Sequence, residues 1–302
     1  MKGVRKNVIV FLGGGRITSA LLAGLRLAGF RQPVVVHDRN AHKLRQFKRH
    51  YDVQVEPDLR RAVEQAHLLI VAVRPDAVRD LLEKIGQIRK EQTRPLTAVS
   101  LAAGIPLKRL RTWLGRPVRW ARAMPSPVAR TGRGLTAVTF DGGLPAAARS
   151  EIRNFFSRVG TVLEIPETKF DGFTVTYSSS HGYHALSALA EAAEKLGLDG
   201  KTALTAAAHA LADGVLAWRE SHLSLDALLN EAATPGGIAA TTVAKMDQAG
   251  YKRSVQQGLR AGMARAAKNA KLPEGAPSKL RLGGGGLTFI HTDPIPLETP
   301  PR

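Results

Sequence analysis

The run "NVIVFLGGGRITSALLAGLRLAG", residues 7–29, constrains the fold of this chain more than any other stretch. Val8 to Leu12 form a short, uninterrupted apolar segment, as expected of a strand buried on both faces of a parallel sheet. Three glycines follow, and then Ile17, Leu21, Leu25 and Ala28 recur on one helical face. A strand that passes through glycine directly into a helix is the first βα turn of a dinucleotide-binding unit. Gly13 and Gly15 let the backbone turn tightly and let a pyrophosphate approach the helix N-terminus, where free N–H groups and the helix dipole attract anions. Arg16 and Ile17, the first residues of the helix, are further candidates for contact with a cofactor. Thr18 stands where G-x-G-x-x-G places its third glycine, so some loosening of the helix against its strand is expected there.

The rest of the chain divides by rhythm. Up to about residue 165, β-branched runs alternate with helical patterns: "NVIVFL", "PVVVHD", "VQVE", "HLLIVAV", "LTAVSL", "PVRWARA", "LTAVTF" and "TVLEI" read as strands. This predicts an α/β Rossmann-type domain over 1–165, its sheet parallel and covered on both faces. Beyond residue 166 the strand signal stops. "YHALSALAEAAEKLGL", "KTALTAAAHALADGVLAWRE", "LSLDALLNEA" and "KRSVQQGLRAGMARAAKNA" have apolar positions three and four apart, which predicts an all-α domain over 166–270. Its alanines permit close helix packing, and so broad an apolar surface on a small bundle points to a partner subunit. Residues 271–302 are rich in Pro and Gly and read as a flexible tail, within which "LTFIHT" offers an edge strand.

With no cysteine, disulfides, thiolate metal sites and a Cys nucleophile are excluded. The histidines are scattered without acidic neighbours at ligand spacing, so no metal site is expected. No stretch reaches the roughly 20 apolar residues of a membrane helix, and the N-terminal apolar run is too short for a secretory signal. A cytoplasmic enzyme with no membrane partner is expected. The net charge of +19 attracts polyanions in general. No aromatic interleaving marks a single-strand platform, so the basic residues read as a solvated surface rather than a nucleic-acid site.

The second strand ends in "VHDRN", where ribose recognition is expected about 20 residues beyond the glycines. Asp38 suits the 2′-hydroxyl of NAD; Arg39, with His37 and Lys43 near it, suits the 2′-phosphate of NADP. The local excess of cations favours NADP, with NAD as the alternative.

Four further segments, in order, carry a resemblance: "LIVAVRPDAV" (69–78), "SLAAGIPLKRLRTWLG" (100–115), "VRWARAMPSPVARTGRGLTAV" (118–138) and "ATPGGIAATTVAKMDQAGYKRSV" (233–255). Together with the glycine turn they resemble pyrroline-5-carboxylate reductase over about residues 7–270. The resemblance implies a Rossmann domain followed by a helical dimerisation domain, a homodimer or larger oligomer, and an active site between the two domains. It also implies hydride transfer from a nicotinamide coenzyme to the imine carbon of a five-membered ring carrying a carboxylate, making proline. Carried over by position, Val73, Arg74 and Pro75 flank the coenzyme, Ala103 and Gly104 lie near the nicotinamide, and Met124 and Ser126 stand in the family's Met-Pro-Asn-Thr-Pro segment. "VTYSSSHGYHAL", residues 175–186, resembles the serine-rich loop that holds the substrate carboxylate, which assigns Ser178, Ser179 and Ser180 to substrate. Gly236, Gly237 and Thr241 fall in the second substrate segment.

The chain departs from the family pattern at these same places. Ser126 replaces an amide, Ala239 stands where the family has threonine, Ser178 and Ser180 replace glycines, and His181 replaces proline. Imine reduction needs no strong base, and His181 or Tyr183 is a candidate proton donor. Two alternatives stand beside the reductase: a relative with a changed imine substrate, and a non-catalytic cofactor-binding or basic nucleic-acid-binding protein on the same scaffold.

Overall fold

The computed structural model describes residues 7–271. The "LTFIHT" segment and the tail beyond Lys271 lie outside the described residues. The strands are β1 (Ile9–Leu12), β2 (Val34–His37), β3 (Gln54–Val55), β4 (Leu68–Val71), β5 (Leu96–Ser100), β6 (Val118–Pro125), β7 (Gly134–Phe140) and β8 (Gly160–Glu164). The helices interleaved with them are α1 (Arg16–Leu27), α2 (Ala41–Tyr51), α3 (Leu59–Gln65), α4 (Pro75–Ile88), α5 (Leu107–Trp113) and α6 (Ala146–Ser157). After β8 come α7 (Glu167–Thr176), α8 (Ser179–Lys195), α9 (Gly200–Glu220), α10 (Leu225–Ala232), α11 (Ile238–Gln248) and α12 (Tyr251–Ala270).

The strands form one sheet in the order β3-β2-β1-β4-β5-β6-β7-β8. The chain starts at β1, runs outward to β3, and returns to the other side of β1 at β4, so the topological switch lies between β1 and β4. From β3 to β6 every pairing is parallel. The expectation of a wholly parallel sheet is corrected at β7, which pairs antiparallel with β6. The segment between them, 126–133, holds only a 3-10 turn over Pro127–Thr131, too short for the crossover of about a dozen residues that a parallel return requires. The α6 crossover then makes β8 parallel to β7.

The uninterrupted apolar runs have their reason in two cores, one on each face of the sheet. Ile9 and Phe11 of β1 point into a cluster with Leu21, Val36, Ile70, Phe155 and Phe156. Val10 and Leu12 point into another with Val35, Leu69, Leu82, Leu110 and Trp120. Alternating side chains thus both meet apolar neighbours. In the helical part the small residues pack as expected: Ala190 of α8 and Ala203 and Ala207 of α9 are the buried members of those helices. Neither α10 nor α11 has a buried residue.

Candidate active site

The carboxyl ends of β1, β2, β4, β5 and β6 lie on one edge of the sheet, which places Gly13, Asp38, Val73, Ala103 and Met124 along the same rim. In open α/β sheets a ligand binds in the crevice at the topological switch, here beside β1 and β4. Gly13 has φ +113, and a Cβ on it would stand 2.6 Å from the Ala72 carbonyl oxygen at the end of β4. Only glycine lets the backbone enter that crevice. Gly15 has the opposite surroundings: a Cβ there would meet nothing within 4 Å, and no side chain caps α1. The space before the α1 N-terminus is therefore open and its donors face it, which fits a dinucleotide pyrophosphate.

Thr18 does not loosen the turn. It is fully buried, and its hydroxyl donates to the Gly13 carbonyl at 2.6 Å, so a hydrogen bond does the work that the missing third glycine does by closeness. Asp38 also serves the turn: one carboxylate oxygen accepts from the Gly14 N–H at 2.8 Å and the other from the Asn40 N–H at 2.8 Å. Lys43 stands 3.8 Å from that carboxylate and balances part of its charge. His37 is buried and its Nδ1 donates to the Glu56 carbonyl at 2.9 Å. Arg16 and Arg39 are exposed at the rim, and Arg74, the N-cap of α4 before Pro75, pairs with Asp76 at 3.3 Å.

Ser126 is buried and its hydroxyl accepts from the Val128 N–H at 3.0 Å, capping the 3-10 turn, while Met124 is half-buried. The loop after β5 is roofed by the C-terminal end of α12. Asn269 Nδ2 donates to the Ala103 carbonyl at 3.2 Å, and a Cβ on Gly104 would stand 2.8 Å from the Ala266 carbonyl oxygen. The same helix reaches α7, where Gly262 faces Val175.

Val175 leads to the serine turn. Ser178 caps α8 by accepting from the Ser180 N–H, and the two hydroxyls lie 2.7 Å apart. His181 Nε2 donates to the Val175 carbonyl at 2.7 Å, which leaves Nδ1 as its free ring nitrogen. Ser179 is half-buried and Tyr183 is exposed. α12 thus links the Ala103–Gly104 loop to the turn that holds Ser178, Ser179, Ser180 and His181. The Gly236–Gly237–Thr241 segment has hydrogen bonds within its own turn and helix, from the Gly237 N–H to the Thr234 carbonyl and from the Thr241 hydroxyl to the Gly237 carbonyl. Gly236 and Thr241 are exposed.

Residues 8–104 match the family described as NADP oxidoreductase coenzyme F420-dependent, and residues 167–269 match the family described as pyrroline-5-carboxylate reductase dimerisation. Among curated relatives, the pyrroline-5-carboxylate reductase of Pseudomonas aeruginosa is 26% identical over 267 residues, covering 87% of this chain and 97% of its own. That of Mycobacterium tuberculosis is 28% identical over 291 residues, covering 88% and 98%. The helical part thus matches the pyrroline-5-carboxylate reductase dimerisation family, and the chain is similar to curated reductases of that name over most of its length. A solved pyrroline carboxylate reductase of Plasmodium falciparum, with NADP bound, shares the fold with a TM-score of 0.78 at 18% identity, covering 89% of this chain and 100% of that one.

Arg122, Glu167 and Asp171 are not among the site residues expected from the sequence. Arg122 is buried in β6 and pairs with Glu167 at 3.3 Å and Asp171 at 2.6 Å, both on α7. A signal was present: an arginine between two alanines in a largely apolar strand, and two acids four apart at the start of a helix, which share one face.

Proposed function

We propose that this chain reduces 1-pyrroline-5-carboxylate to proline with NADPH, as its curated relatives' names suggest. The observation that carries this reading is the pairing of an open, uncapped α1 N-terminus at the switch point with a hydroxyl-rich α8 N-terminus that α12 ties to the same rim. One end suits a pyrophosphate and the other a carboxylate, both by helix N–H donors.

In this reading Gly13, Gly15, Arg16 and Ile17 hold the pyrophosphate. Asp38 fixes the turn through Gly14 and is partly balanced by Lys43, which leaves the exposed Arg39 to receive a 2′-phosphate with Lys43 nearby. That favours NADPH over NADH. Val73, Arg74, Pro75, Met124 and Ser126 shape the coenzyme crevice, and Ala103 and Gly104 lie against the nicotinamide. Ser178, Ser179 and Ser180 hold the substrate carboxylate, with Gly236, Gly237 and Thr241 completing the substrate side. When bound, the reduced nicotinamide supplies the hydride that turns the protonated C=N into CH–NH. The chain's own part is to hold the ring in line and to favour its protonated form. His181 through Nδ1, or the Tyr183 hydroxyl, handles the nitrogen's proton.

The working unit in this reading is a cytoplasmic homodimer built through the helical part. Trp218, Leu229 and Ile238 are 51%, 49% and 90% exposed, an apolar surface that a second copy would cover. Among the described residues no helix is long and apolar enough to cross a membrane.

The test follows NADPH and NADH absorbance with and without pyrroline-5-carboxylate. Substrate-dependent oxidation, faster with NADPH and lost in Gly15→Asp, is the expected result; coenzyme that binds but stays unoxidised would overturn it. One observation favours a second reading, a relative with a different cyclic imine: Ser178, Ser180 and His181 already bond to one another or to Val175, so the turn is narrower than one built from glycines. Oxidation with another cyclic imine acid but not with pyrroline-5-carboxylate would select that reading.

A further inference from the structure

The Arg122 guanidinium is a junction rather than a surface pair. Its side chain is 1% exposed; Nη1 donates to Glu167 at 3.3 Å and Nη2 to Asp171 at 2.6 Å. Its carbon lies 4.3 Å from the centre of the Phe170 ring, and Phe170 is itself fully buried. Residues 167, 170 and 171 share one face of α7, so a single cation seats the first half of that helix on β6.

Each partner leads to a different wall of the proposed site. Glu167 Oε1 also accepts from the Leu107 N–H at 2.6 Å, which fixes the start of α5 directly after the Ala103–Gly104 loop. β6 runs from Arg122 straight into Met124 and Ser126. α7 runs from Asp171 to Val175, the acceptor of His181, and on to Tyr177, whose hydroxyl accepts from the Leu135 N–H at 3.0 Å. Ser178 follows at once.

Stability alone explains this arrangement poorly. Burying an arginine and drawing two carboxylates to it costs desolvation that a packed apolar residue would not, and such a pair is often no more stable than its apolar replacement. Arg122 Nε, moreover, is buried with no hydrogen-bond partner. Directional bonds to two acids do give something an apolar side chain cannot: they fix the rotation and the height of α7 against the sheet.

We infer that Arg122 is a positioning residue, which sets the distance between the nicotinamide-side loops and the Ser178–His181 turn through Glu167 and Asp171. Its catalytic consequence rests on the reductase reading above; its geometric consequence does not. The variants are Arg122→Met, Arg122→Lys and Asp171→Asn, with Arg153→Met as control, since Arg153 makes an exposed pair with Glu164. Amide hydrogen exchange on the full-length protein reads the geometry without substrate. Arg122→Met and Asp171→Asn should speed exchange at residues 176–184 about tenfold while β1 to β5 keep the wild-type rate, because a local opening leaves distant strands protected. Steady-state kinetics should show the KM for pyrroline-5-carboxylate raised roughly tenfold to a hundredfold with the NADPH Kd unchanged, since small misplacements cost that much, and Arg122→Lys should recover part of it. A uniform rise in exchange over the whole protein, or wild-type KM in the folded variants, would overturn the inference and leave Arg122 a structural ion. Wild-type protein that does not oxidise NADPH with this substrate would sink the function reading alone, and the exchange pattern would still decide the positioning.

Discussion

The sheet part and the helical part of this chain solve the burial problem differently. Within the sheet part both faces are covered by the chain's own helices, and strands such as β1 and β4 are buried at every position. From α8 onward, buried side chains are few and small, and α10 and α11 have none. The aromatic core of Phe11, Phe30, Phe155 and Phe156 has no counterpart there; Trp218 and Tyr251 are about half exposed instead. The difference teaches that the sheet part covers its own apolar surface, whereas the helical part leaves large apolar side chains exposed, as a face made for a partner would.

The strongest way to test that contrast is to empty the sheet part's core. Phe156→Ala removes a fully buried ring and should lower unfolding stability by about 3–5 kcal/mol, read from the urea midpoint. A loss under about 1 kcal/mol would mean this core does not stand by itself. Next in size is the glycine pair. Gly15→Asp should weaken NADPH binding by about a hundredfold, by charge repulsion in the pyrophosphate space, while the melting temperature stays near wild type because its Cβ meets nothing. Gly13→Ala should instead lower the melting temperature itself, since it forces a side chain against Ala72 at positive φ. Equal unfolding in both would erase the distinction between a fold glycine and a ligand glycine.

The helical face is tested by Leu229→Glu with Ile238→Glu, which should weaken self-association by about tenfold or more in sedimentation while leaving far-UV helicity intact. Unchanged mass would show that this face is not where copies meet. The smallest effect belongs to the α9 N-cap. Asp199 accepts from the Thr202 hydroxyl and from the Thr202 and Lys201 N–H groups, which hold its carboxyl below the usual carboxylate range. A depressed folded value means the cap stabilises fully above the unfolded carboxylate pKa and fades as pH falls through the folded one. Asp199→Ala should therefore cost about 2 °C in melting temperature at neutral pH and nothing once wild-type Asp199 is itself protonated. A pH-independent difference would rule the carboxylate out as the cause.

Much of the sheet part was legible in the chain because its signals are local. Each β-branched run before residue 165 expected as a strand is one, and the glycine turn sits where its spacing placed it. The direction of β7 was not legible, since an apolar alternation reads the same in either direction; only the short 126–133 connection decides it. Thr18 read as a loosened glycine site, but its hydroxyl finds the Gly13 carbonyl across the turn. Asp38 read as a ribose ligand, and its carboxylate also braces Gly14. The Arg122 junction joins residues 45 and 49 positions apart, and nothing in the pattern of either segment names the other.

By itself, then, the sequence determined element types, their order, the glycine turn and the family resemblance, because periodicity, turn chemistry and motif spacing are properties of neighbouring residues. Tertiary structure alone decided which hydroxyls, carboxylates and carbonyls meet: that His181 leans on Val175, that α12 roofs the Ala103–Gly104 loop, and that one buried arginine seats α7. Those are long-range hydrogen bonds of only a few ångströms' reach. They exist only once the hydrophobic cores have brought distant segments together.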